Sequence, residues 1–391
     1  MTPKNVLFIP VSSPSGIGEY MRSLVIAKAL LLQWPKINIH FILNNQVDYI
    51  KDCPYTVHTC QNSPTKDIKG VNNIIKTVQP DLVIFDASGR AAHFKQAKAV
   101  GAKVAFISQH NKKRNRGLKI NRLLFTDIHW VVQPNYCMKP LNALQKAKLR
   151  LFNKKEPKNI GPVFDPNNKK NQQAVLKQFS LIEENYFVFN AGSGGHLIEG
   201  KLAADIYYQA AQAFNLKTQI KCVVIFGSNY PKNIPEALLD YSSTLDPTEN
   251  KDANNTSNII GIKNIDNAAF IALISAAQGC VISAGDTILQ CIALHKPCTA
   301  APVSSDQPVR LTHCQNKKLV LPAKPTPEDL TKQALRLIDK KDELSQTLVK
   351  NMAQQAPIDG LAIIIEDIIS LFTKAPDKAN DKTLNKRNNT K

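Results

Sequence analysis

The stretch Gly279-Cys280-Val281-Ile282-Ser283-Ala284-Gly285-Asp286-Thr287 decides how the rest of the chain is read. Its first four residues form a short apolar run that suits a buried strand. Ser283-Ala284-Gly285-Asp286 is then a small-residue turn into a helix, with Thr287 in its first turn and apolar positions at Ile288, Leu289, Ile292, Ala293 and Leu294. A helix that opens on a glycine turn offers unpaired backbone N–H groups and the positive end of its dipole, and the glycine lets a ligand approach the main chain. Together these suit a diphosphate, so the chemistry suggested is nucleotide binding. Gln290 stands a turn and a half into the same helix, and Asp306-Gln307 follow the next apolar segment.

Two further glycine loops follow strand-like runs. Asn190-Ala191-Gly192-Ser193-Gly194-Gly195-His196 comes after the apolar residues 187–190 and precedes a helical pattern over 202–214. Its three glycines free the backbone to wrap a phosphate or a sugar hydroxyl. His196 either touches the ligand or makes a local hydrogen bond. Near the start of the chain, residues 5–11 read as a strand, 12–18 as a loop with two glycines and a proline, and 20–32 as a helix. That loop ends Gly16-Ile17-Gly18-Glu19-Tyr20-Met21-Arg22.

These features resemble the GT-B glycosyltransferases, especially the family 28 type that includes the lipid-linked N-acetylglucosaminyltransferase of peptidoglycan synthesis. In that type the small-residue loop meets the diphosphate, an acidic residue at the Gln290 position holds the ribose hydroxyls, and a later Asp-Gln or Gln-Gln pair meets the sugar. Gln290 can accept one hydroxyl proton but carries no charge, which leaves the base open. The first-domain loop in this class often reads Gly-x-Gly-His-x-x-Arg; Gly16, Gly18 and Arg22 match, and Glu19 replaces the histidine. The same loop occurs in the nucleotide-sugar hydrolase of the pseudaminic acid pathway, a GT-B relative that uses water. The resemblance therefore leaves the reaction open between transfer, hydrolysis or epimerisation, and a non-catalytic binding protein. The departures at Glu19 and Gln290 suggest the last of these.

The fold class implied is α/β, with two Rossmann-like parallel-sheet domains facing a cleft. At 391 residues and 43% hydrophobic content the chain can bury two cores. Apolar strands alternate with helical stretches, which argues parallel sheets. The strand candidates are residues 6–10, 39–43, 82–85, 104–107 and 128–132 in the first half, and 187–190, 222–226, 259–262, 279–282 and 298–301 in the second. Residues 153–171 are polar and carry three prolines, with 165–173 the most loop-like part. The division is thus an acceptor-side domain over 1–155, a linker region over 156–184 and a nucleotide-sugar-binding domain over 185–373. Its amphipathic last segment, 363–372, is expected to cross back to the first domain, and 374–391 reads as a disordered basic tail.

Eight cysteines show neither a Cys-x-x-Cys pair nor a Cys/His cluster at zinc spacing, and Cys222, Cys280, Cys291 and Cys298 fall inside apolar segments. Buried free thiols point to a reducing compartment. The start lacks a signal-peptide pattern and no apolar run approaches the ~20 residues that span a bilayer. A cytoplasmic protein, peripheral at most on the inner membrane, is expected. No cofactor is expected beyond the nucleoside diphosphate sugar as donor substrate. No metal is expected either: GT-B enzymes generally work without one, and the chain has no Asp-x-Asp at a strand end.

Lys and Arg total 50 against 31 Asp and Glu, a formal charge of +19. One cluster comprises Lys112, Lys113, Arg114, Arg116, Lys119 and Arg122; the other comprises Lys139, Lys146, Lys148, Arg150, Lys154 and Lys155. The first follows a strand end, so Lys112, Lys113, Arg114 and Arg116 are candidates to bind an anionic or lipid-linked glycan acceptor. No helix-turn-helix, zinc finger or RNA-binding signature accompanies them, and aromatics make up only 7% of the chain, so nucleic acid is not the expected partner. Catalysis of transfer needs a base and groups that stabilise the leaving diphosphate. Glu19, at the position where relatives carry histidine, is the first candidate base. His110 and Asp86, each at a strand end, are the others; Asp86 either caps a helix or faces the cleft.

Overall fold

In the computed structural model, residues 2–11, 17–235, 238–240, 258–339, 341–355 and 359–373 are described. The first sheet comprises β1 (Asn5–Pro10), β2 (Asn38–Asn44), β3 (Thr56–Cys60), β4 (Leu82–Asp86), β5 (Lys103–Ser108), β6 (Ile128–Val131) and β7 (Lys158–Asn159), in the order β3-β2-β1-β4-β5-β6-β7. All six pairings are parallel. The second domain begins with β8 (Tyr186–Asn190) and carries a small antiparallel hairpin, β9 (Leu197–Ile198) with β10 (Lys201–Leu202). Its sheet continues with β11 (Lys221–Ile225), β12 (Leu239–Asp240), β13 (Ile259–Ile262), β14 (Gly279–Ser283), β15 (Cys298–Ala301) and β16 (Leu321–Pro322), in the order β12-β13-β11-β8-β14-β15-β16. The two similar halves expected from the sequence are present.

Both sheets are buried on both faces, which is why their central strands are continuous apolar runs rather than alternating ones. Leu7, Ile9, Val83 and Phe85 pack on one side of the first sheet, and Val6, Phe8, Leu82 and Ile84 on the other. Phe187 and Phe189 of β8 face one core of the second domain while Tyr186 and Val188 face the other. In each sheet the chain runs outward from a central strand in one direction and then returns to build the other side. The point of reversal lies between β1 and β4 in the first domain and between β8 and β14 in the second. Loops after the carboxyl ends of strands at such a reversal form a natural crevice.

Two expectations are corrected, the strand count and the loop in the linker, and one, the buried free thiols, holds. Each sheet has seven strands rather than five, because short strands sit at the edges, β3 and β7 in the first and β12 and β16 in the second. β7 lies inside the expected linker and pairs with β6 through Trp130↔Lys158 and Val131↔Asn159. Residues Lys169–Gln178 are a helix rather than a loop: the Asn168 side chain caps it by accepting from the Lys170 N–H, and Val175 reaches the second core. Seven of the eight cysteines, Cys222, Cys280, Cys291 and Cys298 among them, are buried, and all eight are unbridged.

The final helix, Gly360–Thr373, packs on the first domain: Leu361, Ile364 and Ile368 enter its core. The Trp130 indole N–H donates to Asp367 at 2.8 Å, and Asp367 also pairs with Lys158. A Cβ on Gly360 would lie 2.5 Å from the Pro162 carbonyl oxygen and 2.9 Å from that of Ile160, so the helix start presses on the segment that leaves β7. Gly360→Ala must push backbone apart and should cost about 1–3 kcal/mol of stability. Chemical denaturation checks this; an unchanged midpoint would show that the contact is soft.

Candidate active site

The two reversals face one another across a cleft that holds a cavity of about 300 Å³. On the second-domain side its wall is built by the loops after β8, β11, β13 and β14 and by the start of the helix Gln307–Asn316. On the first-domain side it is built by the start of the helix Gly18–Gln33, with Val132, Pro162 and Val163 beside it.

The glycine loops are interlocked. Asn190, the last residue of β8, accepts from the Gly192 N–H and donates from its amide to the carbonyls of Gly192 and Ile225. Gly192, Gly194 and Gly227 all have φ between +93° and +96°, where a side chain is strained. A Cβ on Gly194 would collide with the Phe226 carbonyl, and one on Gly227 with the Ser193 backbone. The loops after β8 and β11 therefore pass each other at backbone contact, tied also by Asn229 N–H to Ser193 C=O at 2.8 Å. Ser283 Oγ stands between the loops after β8 and β14, 3.4 Å from where a Cβ would sit on either Gly192 or Gly285. Gly285 begins the helix Asp286–Ala293 without a side-chain cap, so its first N–H groups have no capping side chain.

Four charges join the domains. Asp86, at the end of β4 and 0% exposed, takes Arg22 in a two-pronged pair: Nε and Nη2 each donate at 2.8 Å. Arg22, 5% exposed, extends Nη1 across the cleft to Asp286 at 3.0 Å. Asp286 also meets Arg310 Nη2 at 3.1 Å, and Arg310 Nη1 donates to the Ala284 carbonyl at 2.8 Å. Burial pushes the Asp86 carboxyl up, to about 6, against the pull of Arg22. Burial alone would lower Arg22, but the Asp86 and Asp286 charges more than offset it and hold the guanidinium protonated.

The candidates sort by place. Gly18, Arg22, Gly192, Ser193, His196, Ser283, Gly285, Asp286, Thr287, Gln290 and Gln307 line the cavity. Gly16 lies outside the described residues. Gly194, Gly195 and Ala284 do not line it; Gly195 is half-exposed, and Ala284 is fully buried and contributes its carbonyl to Arg310. Asp306 is exposed and held by Ser304 Oγ at 2.7 Å. Glu19 is half-buried beside Gly18 but does not itself line the cavity; its charge is felt by Arg22, Asp86 and Lys113. His110 faces Asp306 and Arg310 of the second domain, and burial, then Lys113, lowers its pKa, which favours the neutral imidazole.

Two expectations change. Asp86 neither caps a helix nor opens to the cleft: with no exposed surface and both oxygens on Arg22, it is a support for that guanidinium rather than a free base. Arg114 is 5% exposed, so it is not part of an acceptor-facing surface. Lys113 is half-buried and donates to the Ala87 carbonyl, whereas Lys112 is exposed and Arg116 half-buried. Sequence reading missed Arg310, which no motif marks. It also missed Gly227-Ser228 and Lys263-Asn264 at the ends of β11 and β13. Gly227 follows an apolar run as the other loop glycines do, and that signal was available.

No family model and no curated protein sequence matches the chain. Solved structures do match over almost its whole length. Phytolacca americana UGT2 complexed with UDP-2-fluoro-glucose and pterostilbene has a TM-score of 0.59 at 9% identity, over 95% of this chain and 100% of that one. CalG4, the calicheamicin glycosyltransferase, has 0.58 at 12%, over 96% and 100%. The fold is GT-B. A Listeria monocytogenes protein described as a putative UDP-N-acetylglucosamine 2-epimerase aligns as well, with 0.53 at 16% identity over 96% and 98%. Among the described residues no helix is long and apolar enough to cross a membrane, and no group of three or more His, Cys, Asp or Glu side chains is placed to hold a metal.

Removing one partner of a buried ion pair strands the other, so Asp86→Asn should destabilise the GT-B chain by about 3–5 kcal/mol. The double variant Asp86→Asn, Arg22→Gln should lose less than the sum of the two single changes. Urea denaturation of the four proteins measures the cycle. Additive losses would show that the pair does not act as a unit.

Proposed function

We propose that the protein is a glycosyltransferase, of the family 28-like type within GT-B. It moves a sugar from a nucleoside diphosphate donor to a hydroxyl of an anionic or lipid-linked glycan acceptor in cell-surface glycan synthesis. The observation that carries this reading is the cleft cavity itself, where uncapped N–H groups after Gly285 and the glycine loop at Gly192 share one wall and Arg22 reaches in from the other. That set suits a diphosphate, and one of the similar structures holds a UDP-sugar in the same fold.

In this reading the second domain holds the donor. The Gly192–Ser193 and Ser283–Thr287 loops take the phosphates, Gln290 takes a ribose hydroxyl, and His196 and Gln307 take the phosphate or sugar. Arg22, fixed by Asp86, stabilises the leaving diphosphate without having to reorganise as charge develops. Glu19, beside Gly18, takes the acceptor proton, with His110, kept neutral, as the second candidate. Lys112 and Arg116 begin on the cleft side of the first domain, near His110, and suit an anionic acceptor at the membrane surface. Hydrolysis or epimerisation of the same donor is the second reading, favoured by the Gly16 to Arg22 motif and by the epimerase-like structure above.

Thermal shift with a panel of nucleoside diphosphate sugars tests donor binding, because a ligand bound only to the native state raises its melting temperature. Gly285→Val should abolish the shift while the protein stays folded, since a Cβ there points between Ser283 Oγ and the Gln307 amide. An undiminished shift would move the donor elsewhere. Turnover with and without acceptor then separates transfer from hydrolysis, and no turnover of any bound donor would leave a binding protein. Glu19→Gln should slow turnover by about a hundredfold or more with donor affinity nearly kept. If most activity survives, Glu19 is only a helix-start acid and His110 is tested next.

A further inference from the structure

The four charges that cross the cleft differ in freedom. Asp86, Arg22 and Arg310 are 0%, 5% and 9% exposed, whereas Asp286 is 35% exposed. Each guanidinium is anchored on one edge by its own domain, Arg22 by the two oxygens of Asp86 and Arg310 by the Ala284 carbonyl. Each then spends its remaining reach on the same carboxylate. Arg310 Nε is also buried without an acceptor among the described residues. A buried guanidinium with donors to spare, beside an accessible acid, is an anion site already holding an anion.

The place of that acid matters. Asp286 is the first residue of the helix after the Gly285 turn, so its carboxylate stands beside the N–H groups that an incoming anion would use. Asp86 and Asp286 together balance Arg22 and Arg310. If Asp286 turns out to solvent, one positive charge is left uncompensated between the domains, flanked by helix N–H donors. One phosphate would restore the balance with more acceptor oxygens than the carboxylate offers.

We infer that Asp286 is a resident counterion that a ligand phosphate displaces, and that Arg310, together with Arg22, binds that phosphate across the cleft. The inference rests on the donor reading above and adds to it a second-domain residue that touches the leaving phosphate. Asp286 bridges the cleft between Arg22 and Arg310, and a bound phosphate takes over the same bridge. Asp286 therefore opposes ligand binding, although it sits in the middle of the binding loop.

The test is titration calorimetry of the full chain with inorganic pyrophosphate and, separately, with nucleoside diphosphates, at fixed ionic strength. Asp286→Asn should bind pyrophosphate about tenfold or more tighter than the parent protein, because the ligand no longer competes with a fixed charge. Arg310→Lys keeps the charge but not the fork, and should lose most of the affinity both alone and in the Asp286→Asn background. Asp286→Ser, which keeps a hydrogen-bonding side chain at the helix start, should reproduce the gain if Asp286→Asn proves unstable. Equal or weaker pyrophosphate binding in a folded Asp286→Asn or Asp286→Ser protein overturns the counterion role. Tighter pyrophosphate binding without any nucleoside diphosphate binding supports the counterion and defeats the nucleotide reading. Nucleoside diphosphate binding that ignores both substitutions does the reverse.

Discussion

A buried guanidinium needs a partner that is buried with it, and in this chain that requirement fixes the geometry of the cleft. Arg22 leaves the first helix toward the sheet and would be costly there alone; Asp86, at the end of the neighbouring strand, satisfies two of its donors at 2.8 Å. The pairing works because β1 and β4 are adjacent and parallel, with Pro10 beside Asp86, which brings the helix after β1 over the end of β4. Held in this way, Arg22 keeps Nη1 clear of Asp86, and Nη1 points at Asp286 of the second domain.

The second domain answers with the Asp286 carboxylate and with rigid backbone loops. Its loops after β8 and β11 pass so closely that Gly194 and Gly227 leave no room for a Cβ, and Asn190 pins the first of them with three hydrogen bonds. Loops that are to present N–H groups to an anion must not move to make their own hydrogen bonds. The interlock supplies that rigidity, and the positive φ angles at Gly192, Gly194 and Gly227 are its backbone signature. The helix after Gly285 then contributes its uncapped start, and Ser283 joins the two loops.

Much of the fold was legible because the central strands are buried on both faces and read as unbroken apolar runs; all ten expected strands are present within a residue or two. The edge strands β3, β7, β12 and β16 were not, since an edge strand needs no such run: β3 carries His58, stacked on His40 of β2, and β7 is the polar pair Lys158-Asn159. The helix Lys169–Gln178 hid for the same reason, with Val175 and Gln172 its buried residues. The glycine loops were legible through their composition. Asp86 looked like a free carboxylate because sequence does not record that Arg22, 64 positions away, covers it. Arg310 was invisible because its value lies in spacing: one helical turn after Gln307, it reaches back to Ala284 and Asp286. The basic run over 112–122 misled in the opposite sense. Arg122 is turned inward to the Gly89 carbonyl and lies 6.0 Å from the Phe94 ring, so part of that charge supports the first domain instead of facing a partner.

The central claim is that the cavity between the two reversals holds a nucleoside diphosphate sugar by its diphosphate, with one domain supplying N–H groups and the other Arg22. A crystal structure of the protein soaked with the best-binding nucleoside diphosphate sugar tests it most directly. The account predicts phosphate oxygens within hydrogen-bonding distance of the Asp286 and Thr287 N–H groups and of the Arg22 guanidinium, with the sugar toward Glu19. A ligand seated elsewhere, for instance in the separate 600 Å³ pocket lined by His129, Lys154 and Asp367 beneath the final helix, would contradict it.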